Sequence, residues 1–341
     1  MTRYILATLL ILLMTGCSTT DKPIRIYMIG DSTMANKDIS KGNPERGWGH
    51  VLKGFFSENV TIENHAVNGR STKSFIDEGR WDVVQERLRP GDYLIIQFGH
   101  NDEKQDEKRH TEPGSTFDAN LERFVLEARE RGAIPILMNS IVRRNFAENP
   151  NAIANDDYRR AMTEGGGIET DSLFDTHGAY LESPRNVALK HDVAFIDMNS
   201  ITHKLVESMG REGSKQLFMW VEPGVCEACP EGRQDNTHLN IKGARVVAGL
   251  AVDAIAQAVP ELKRYVCHYD YVVATDGSGD FFTFQELLDS LRNSCDEQYK
   301  RVRFLAGKYS GENLRTDERI NCYIDLDSGV TVTGITIDSQ P

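Results

Sequence analysis

Positive charge is what this chain is short of. Its 39 lysines and arginines are outnumbered by 51 aspartates and glutamates, for a formal net charge of −12. That balance argues against a protein that grips nucleic acid by its phosphates. It also supplies no long-range attraction toward an acidic polymer, so an acidic substrate would have to be held by individual basic side chains. A long apolar run is missing as well: the stretch from Tyr4 to Met14 is too short to span a bilayer well. Low-complexity segments are absent, and the composition, 40% hydrophobic, is that of a folded globular chain. Cysteine is sparse, and a single Cys-x-x-Cys, Cys226 to Cys229, has no second pair to complete a four-cysteine zinc site.

What is present at the N-terminus is an export signal. Arg3 precedes the short apolar run, and Thr15-Gly16-Cys17-Ser18 follows it with small residues at a cut site. The Met14-Thr-Gly-Cys17 ending resembles a bacterial lipobox, which implies removal of residues 1–16 and a lipid on Cys17. The expected location is therefore outside the cytoplasm, lipid-anchored in a cell envelope, with ordinary secretion as the alternative. In an exported chain a local disulfide fits Cys226 and Cys229 at least as well as a metal. Cys267, Cys295 and Cys322 complete the cysteines of the mature body, and their pairing is left open.

The 341 residues suit one large domain, or one domain plus a fragment. Over residues 22–262 short Ile/Val/Leu runs alternate with amphipathic helical spacing. The runs fall at 24–29, 93–98, 134–138 and 193–197, and they suit parallel strands covered on both faces. Leu121, Phe124, Val125 and Ala128 mark one helix that ends at Gly132, and 241–258 marks another that stops before Pro260. This alternation predicts an α/β fold with a doubly wound parallel sheet in three layers, whose ligands sit at the C-terminal ends of the strands.

Four blocks could carry chemistry. The first is Gly30-Asp-Ser32-Thr33, where a buried strand ends on an acid and two hydroxyls. It reads either as a turn with a helix cap or as a nucleophilic serine on a strand-to-helix turn. The second is Asn64-His-Ala-Val-Asn-Gly69-Arg70-Ser71, in which Gly69 could bring a backbone N–H close to an oxyanion. The third is Gly99-His100-Asn101-Asp102, where the Asn101 amide lies just past a strand. The fourth is Asp235-Asn-Thr-His238: residues three apart can share a direction, so the carboxylate could orient the imidazole and leave its other nitrogen for a serine. Singly, each block also reads as a turn, a cap or a solvated loop. Together they form the parts list of acyl transfer.

This set, in this order, resembles the SGNH (GDSL-type) hydrolases. The resemblance implies Ser32 as nucleophile, Asp235 and His238 as the rest of a triad, and Ser32, Gly69 and Asn101 as the oxyanion hole. It implies no metal and no organic cofactor. Ile29-Gly-Asp-Ser-Thr33, Gly47-Trp-Gly49, Asn68-Gly-Arg-Ser71 and Phe98-Gly-His-Asn-Asp102 look, more narrowly, like rhamnogalacturonan acetylesterases. Those enzymes deacetylate the rhamnogalacturonan backbone of pectin. Arg70 and His100 are then candidate substrate contacts, Arg70 being equally readable as a solvated surface arginine. Acetylesterases of xylan or another polysaccharide would share the catalytic residues. A lipase or thioesterase would want a long apolar groove, whereas residues 102–115 and 143–171 are charged or polar. A non-catalytic pectin-binding surface lipoprotein would keep its binding without Ser32.

From residue 268 the character changes. Tyr271-Val-Val-Ala-Thr-Asp-Gly-Ser-Gly-Asp280 and the run Gly307-Lys-Tyr-Ser-Gly-Glu-Asn313 resemble the opening of pectin methylesterases, which are parallel β-helices. Residues 268–341 would hold only a short incomplete β-helix-like segment, too few coils to bury a core alone. The aspartates, arginine and glutamines of that chemistry are missing, so no methylesterase activity is expected. The resemblance still points to acetylated pectic polysaccharide as the partner.

Overall fold

The computed structural model describes residues 22–148, 168–293, 298–310 and 322–333. The export signal with Cys17, part of the polar 143–171 loop and Cys295 lie outside the described residues. Five parallel strands make the central sheet: β1 (Ile24–Gly30), β2 (Val60–Asn64), β3 (Tyr93–Gln97), β4 (Ile134–Met138) and β5 (Ala194–Ile196). Their spatial order is β2-β1-β3-β4-β5. The order reverses between β1 and β3, and a crevice for ligands opens at such a point beyond the strand ends. Ser32 follows β1 and Asn101 follows β3, so both lie at this switch point.

Alternation along each strand feeds two cores. Ile26, Met28, Ile95, Ile136 and Met138 face one side, and Tyr27, Ile29, Leu94, Ile96 and Leu137 face the other. On the second side pack α1 (Thr72–Asp77), α2 (Arg80–Arg87), α3 (Thr116–Glu130) and α4 (Glu182–His191). Leu121, Phe124, Val125 and Ala128 of α3 are all buried there, as their spacing predicts. The first side is covered by α5 (Met198–Gly213) and α6 (Ile241–Ala258). Helix α6 spans the predicted residues, because alanines and valines at 244, 247, 248, 251 and 252 form one continuous buried stripe.

An antiparallel hairpin, β6 (Phe218–Val221) and β7 (Arg233–Leu239), precedes α6. The loop joining its strands holds Cys226 and Cys229. These two, Cys267 and Cys322 are free thiols in the structure.

The described residues of the C-terminal segment form strands and a helix docked on the larger domain. Strands β8 (Tyr271–Val273), β9 (Lys300–Phe304) and β11 (Cys322–Leu326) run parallel, and β10 (Gly307–Ser310) pairs in parallel with β12 (Val330–Thr333). Thus β9 and β10 stack on β11 and β12 as two successive turns. Helix α7 (Phe284–Asn293) closes a small core of Val273, Phe284, Leu287, Leu288, Val302, Phe304 and Tyr309. The larger α/β domain supplies further contacts. Arg245 of α6 bonds Asp280 at 3.1 Å, and Arg46 donates to the Gly277 carbonyl at 3.0 Å. Arg303, paired with Asp327, donates to the Phe56 carbonyl at 2.6 Å.

Candidate active site

The first block forms a single turn. Ala35 N donates to the Asp31 carbonyl at 3.0 Å, and the chain then leaves as loop. No helix follows directly, so Ser32 sits on a strand-to-turn junction rather than the expected strand-to-helix one. Asp31 shapes it: its Oδ1 accepts from Thr33 N at 2.9 Å and from Thr33 Oγ1 at 2.8 Å. Asp31 is fully buried, and that burial raises its carboxyl above the ordinary range against the pull of the Thr33 hydrogen bonds. The acid of the block therefore builds the turn that presents Ser32.

The fourth block lies on β7 rather than on a helical turn. Phe218 pairs with Leu239 while Trp220 pairs with Gln234, so the strand bulges between these points. Within the bulge Asp235 Oδ1 accepts from Thr237 N at 2.7 Å and His238 N at 2.8 Å. This local curl turns Asp235 and His238 the same way. Asp235 does not cap α6; Asn240 does, accepting from Gly243 N at 2.9 Å.

Across the crevice the pieces meet. His238 Nε2 lies 2.9 Å from Ser32 Oγ, and His238 Nδ1 lies 2.8 Å from Asp235 Oδ2. Burial alone would raise the Asp235 carboxyl, but the His238 charge and hydrogen bonds, with Arg233, hold it well below the usual carboxylate range. It stays ionised and fixes Nδ1 as the protonated nitrogen, which leaves Nε2 free to take the serine proton.

The second and third blocks converge on the same mouth. Val67 N donates to the Gly30 carbonyl at 3.0 Å, drawing the loop after β2 beside the end of β1. Gly69 has φ +75°, a left-handed conformation that glycine adopts without strain. Asn101 is buried, and its Nδ2 donates to the Arg70 carbonyl at 3.2 Å. Asp102 locks the two loops: it accepts from Thr72 N at 3.0 Å, from Thr72 Oγ1 at 2.5 Å and from Thr111 Oγ1 at 2.9 Å. Its burial pushes the carboxyl up to about 7 against those bonds.

The two expected substrate contacts are placed differently. Arg70 is partly exposed and pairs with Glu78 at 3.1 Å. His100 is only 3% exposed. Its Nδ1 bonds His177 Nε2 at 2.9 Å, and His177 in turn bonds Asp175 at 3.2 Å. Burial, with Arg143 nearby, drives the His100 ring well below its ordinary pKa. It lies in the interior rather than on the open surface. Among the described residues no group of three or more His, Cys, Asp or Glu is placed to hold a metal ion.

Sequence reasoning missed Arg233, Glu45 and Lys37, all close behind Asp235. The period-2 alternation of Arg233 with Asp235 on one strand was the available signal for the first. Nothing local marks the other two.

Comparison with known proteins identifies the family of the chain. A family profile described as the GDSL-like lipase/acylhydrolase family matches residues 28–246. The rhamnogalacturonan acetylesterase RhgT of Bacillus subtilis (strain 168) is 39% identical over 256 residues, which is 75% of this chain and 97% of that protein. A rhamnogalacturonan acetylesterase of Emericella nidulans is 27% identical over 275 residues, covering 75% of this chain and 91% of that one. The crystal structure of the protein YXIM from Bacillus subtilis matches with a TM-score of 0.51, at 23% identity, over 68% of this chain and 56% of that chain, a likeness of fold.

Proposed function

Because this chain belongs to the GDSL-like lipase/acylhydrolase family and is a carboxylic ester hydrolase, we propose that it removes acetyl groups from the rhamnogalacturonan backbone of pectin. The observation that carries the mechanism is the continuous chain from Ser32 through His238 to Asp235, at 2.9 and 2.8 Å, at the switch point of the sheet. The substrate class rests on the rhamnogalacturonan acetylesterases that match along nearly their whole length.

In this mechanism His238 takes the proton of Ser32 as Oγ attacks the acetyl carbonyl. The tetrahedral oxyanion is met by the N–H groups of Ser32 and Gly69 and by the Asn101 amide, whose bond to the Arg70 carbonyl is then exchanged. His238 gives its proton to the departing sugar hydroxyl, leaving an acetyl ester on Ser32. Water, deprotonated by His238, attacks that ester, and acetate leaves as Ser32 regains its proton. Asp235 stabilises the imidazolium in both halves. The N-terminal export signal supports a location outside the cytoplasm, and the lipobox-like ending supports a lipid on Cys17 as anchor. The C-terminal segment, like the start of a pectin methylesterase, fits the same polymer without adding a second activity.

Acetate release by the wild type from acetylated rhamnogalacturonan, beside acetylated xylan, tests the substrate. The proposal expects release from the pectic polymer in clear preference. Release from xylan alone would keep the ester chemistry and remove the pectin assignment.

A further inference from the structure

Behind the triad lies a row of alternating charges that the mechanism above does not use. Asp235 Oδ2 receives His238 Nδ1 and also Arg233 Nη2 at 2.5 Å. The other prong of Arg233, Nη1, lies 2.5 Å from Glu45 Oε2. Glu45 Oε1 is 2.7 Å from Lys37 Nζ, which also donates to Asn68 Oδ1 at 2.7 Å. The row therefore runs from the acid of the triad back to the residue before Gly69. Its inner end is sheltered, the Lys37 side chain being 3% exposed and that of Glu45 12%, while Arg233, at 32%, stands nearer solvent. Screening by solvent is weak at Lys37 and Glu45 and stronger at Arg233, whose contacts at 2.5 Å still couple it to Glu45 and Asp235.

Arg233 poses a difficulty for catalysis that the row resolves. Its Nη2 is also 3.2 Å from His238 Nδ1. An unbalanced guanidinium there would oppose the imidazolium that forms when Ser32 is deprotonated. It could also donate to Nδ1, which would move the ring proton to Nε2, where it blocks the base. Glu45 takes the other prong of Arg233 and offsets its charge, and Lys37 holds Glu45.

We propose that Glu45, Arg233 and Lys37 are positioning residues of the esterase: together they set the charge behind Asp235 and tie the triad to the loop of Gly69. The proposal rests on the triad reading given above. His238 is faced by Asp235 and Arg233 from β7, Glu45 with Lys37 behind it from the connection after β1, Asp31 from the end of β1 and His100 from the loop after β3. Only the row is altered in the following variants, so a shift in profile is traceable to it.

The test measures kcat, KM and the pH profile of kcat/KM with a small aryl acetate, which makes no demand on the polysaccharide site. Glu45→Gln leaves Arg233 unbalanced. Its acid limb moves to lower pH by on the order of one unit, and kcat falls about tenfold or more with KM little changed. Arg233→Gln removes the cation, and its acid limb moves to higher pH. The double variant Glu45→Gln/Arg233→Gln removes a neutral pair and returns the limb toward the wild-type position. Arg233→Lys restores the direction of the wild-type profile. A merely structural pair would lower activity through loss of folded protein and leave the limb in place. Limbs that do not move, or that move the same way in both single variants, overturn the proposal. If one single variant does not fold, the double variant and Arg233→Lys carry the same comparison. Hydrolysis retained by Ser32→Ala would instead sink the triad reading, an outcome distinct from failure of the row.

Discussion

At the scale of single residues, the account turns on groups that are far apart in sequence. Ser32 and His238 are separated by 206 positions and Glu45 and Arg233 by 188. Ser32, Gly69, Asn101, Asp235 and His238 stood out as candidates because residue types suited to acyl transfer stand in a recognisable order, and the structure brings Ser32, His238 and Asp235 into contact. Glu45 and Lys37 were not, since an acid and a lysine in a polar loop look like any solvated surface until the fold buries them. The burial of His100 was hidden for the same reason: a histidine beside a candidate amide looks accessible in sequence, but the loop after β3 carries it inside. His238→Ala is expected to lower kcat by several orders of magnitude and Asp235→Asn by less, because the serine and oxyanion donors act only with the base present. Single-turnover measurement on an aryl acetate checks that order. Asp175 provides the pH prediction. Burial would raise its carboxyl, but the bonds with His177 and the Gly178 N–H bring it down to about 2. A depressed carboxyl stabilises the fold above the unfolded value near 4 and loses that contribution as pH falls toward 2. Asp175→Asn should therefore be less stable than wild type near neutrality, with the difference fading as denaturation is followed toward pH 2.

At the scale of elements, four of the five strands of the central sheet and the two best helices could be read from spacing alone. Buried runs such as Tyr93–Gln97 and the stripe of α6 leave few alternatives, since only one packing hides them. What local pattern could not show was the bulge in β7. A Thr and an Asn between Asp235 and His238 fit a loop, a cap or a strand, and pairing with β6 decides among them. The glycine loop makes a prediction here. A Gly69→Ala side chain would meet no atom within 4 Å, yet φ +75° costs it about 1–2 kcal/mol. If the loop relaxes toward negative φ, the N–H leaves the oxyanion position and kcat falls while the melting temperature changes only modestly. At the start of α6, Asn240→Ala removes the cap bond to Gly243 and should cost about 1 kcal/mol in denaturant titration.

At the scale of the whole molecule, the C-terminal segment changes character once the fold is known. Two stacked turns of parallel strand were expected to lack a core. The structure meets that need with α7 and with contacts to the larger domain, in which Arg46, Arg245 and Arg303 reach across. Such contacts join residues 231 and 247 positions apart, which no local pattern encodes. Arg46 also neighbours Glu45, so the segment braces the loop that carries the charge row. Arg303 and Asp327 form a buried two-pronged pair at 2.6 and 3.0 Å. Asp327→Ala strands Arg303 and should cost about 3–5 kcal/mol of docking. Limited proteolysis would then cut the segment away faster than in wild type.

The central claim is that Ser32 is the nucleophile of an acetylesterase acting on pectin. Acetate released from acetylated rhamnogalacturonan by wild type and by folded Ser32→Ala tests it most directly. Steady release by the wild type and none above background by the variant are expected. Equal release by both would remove Ser32 from the chemistry, and absence of release by the wild type would contradict the assignment of substrate.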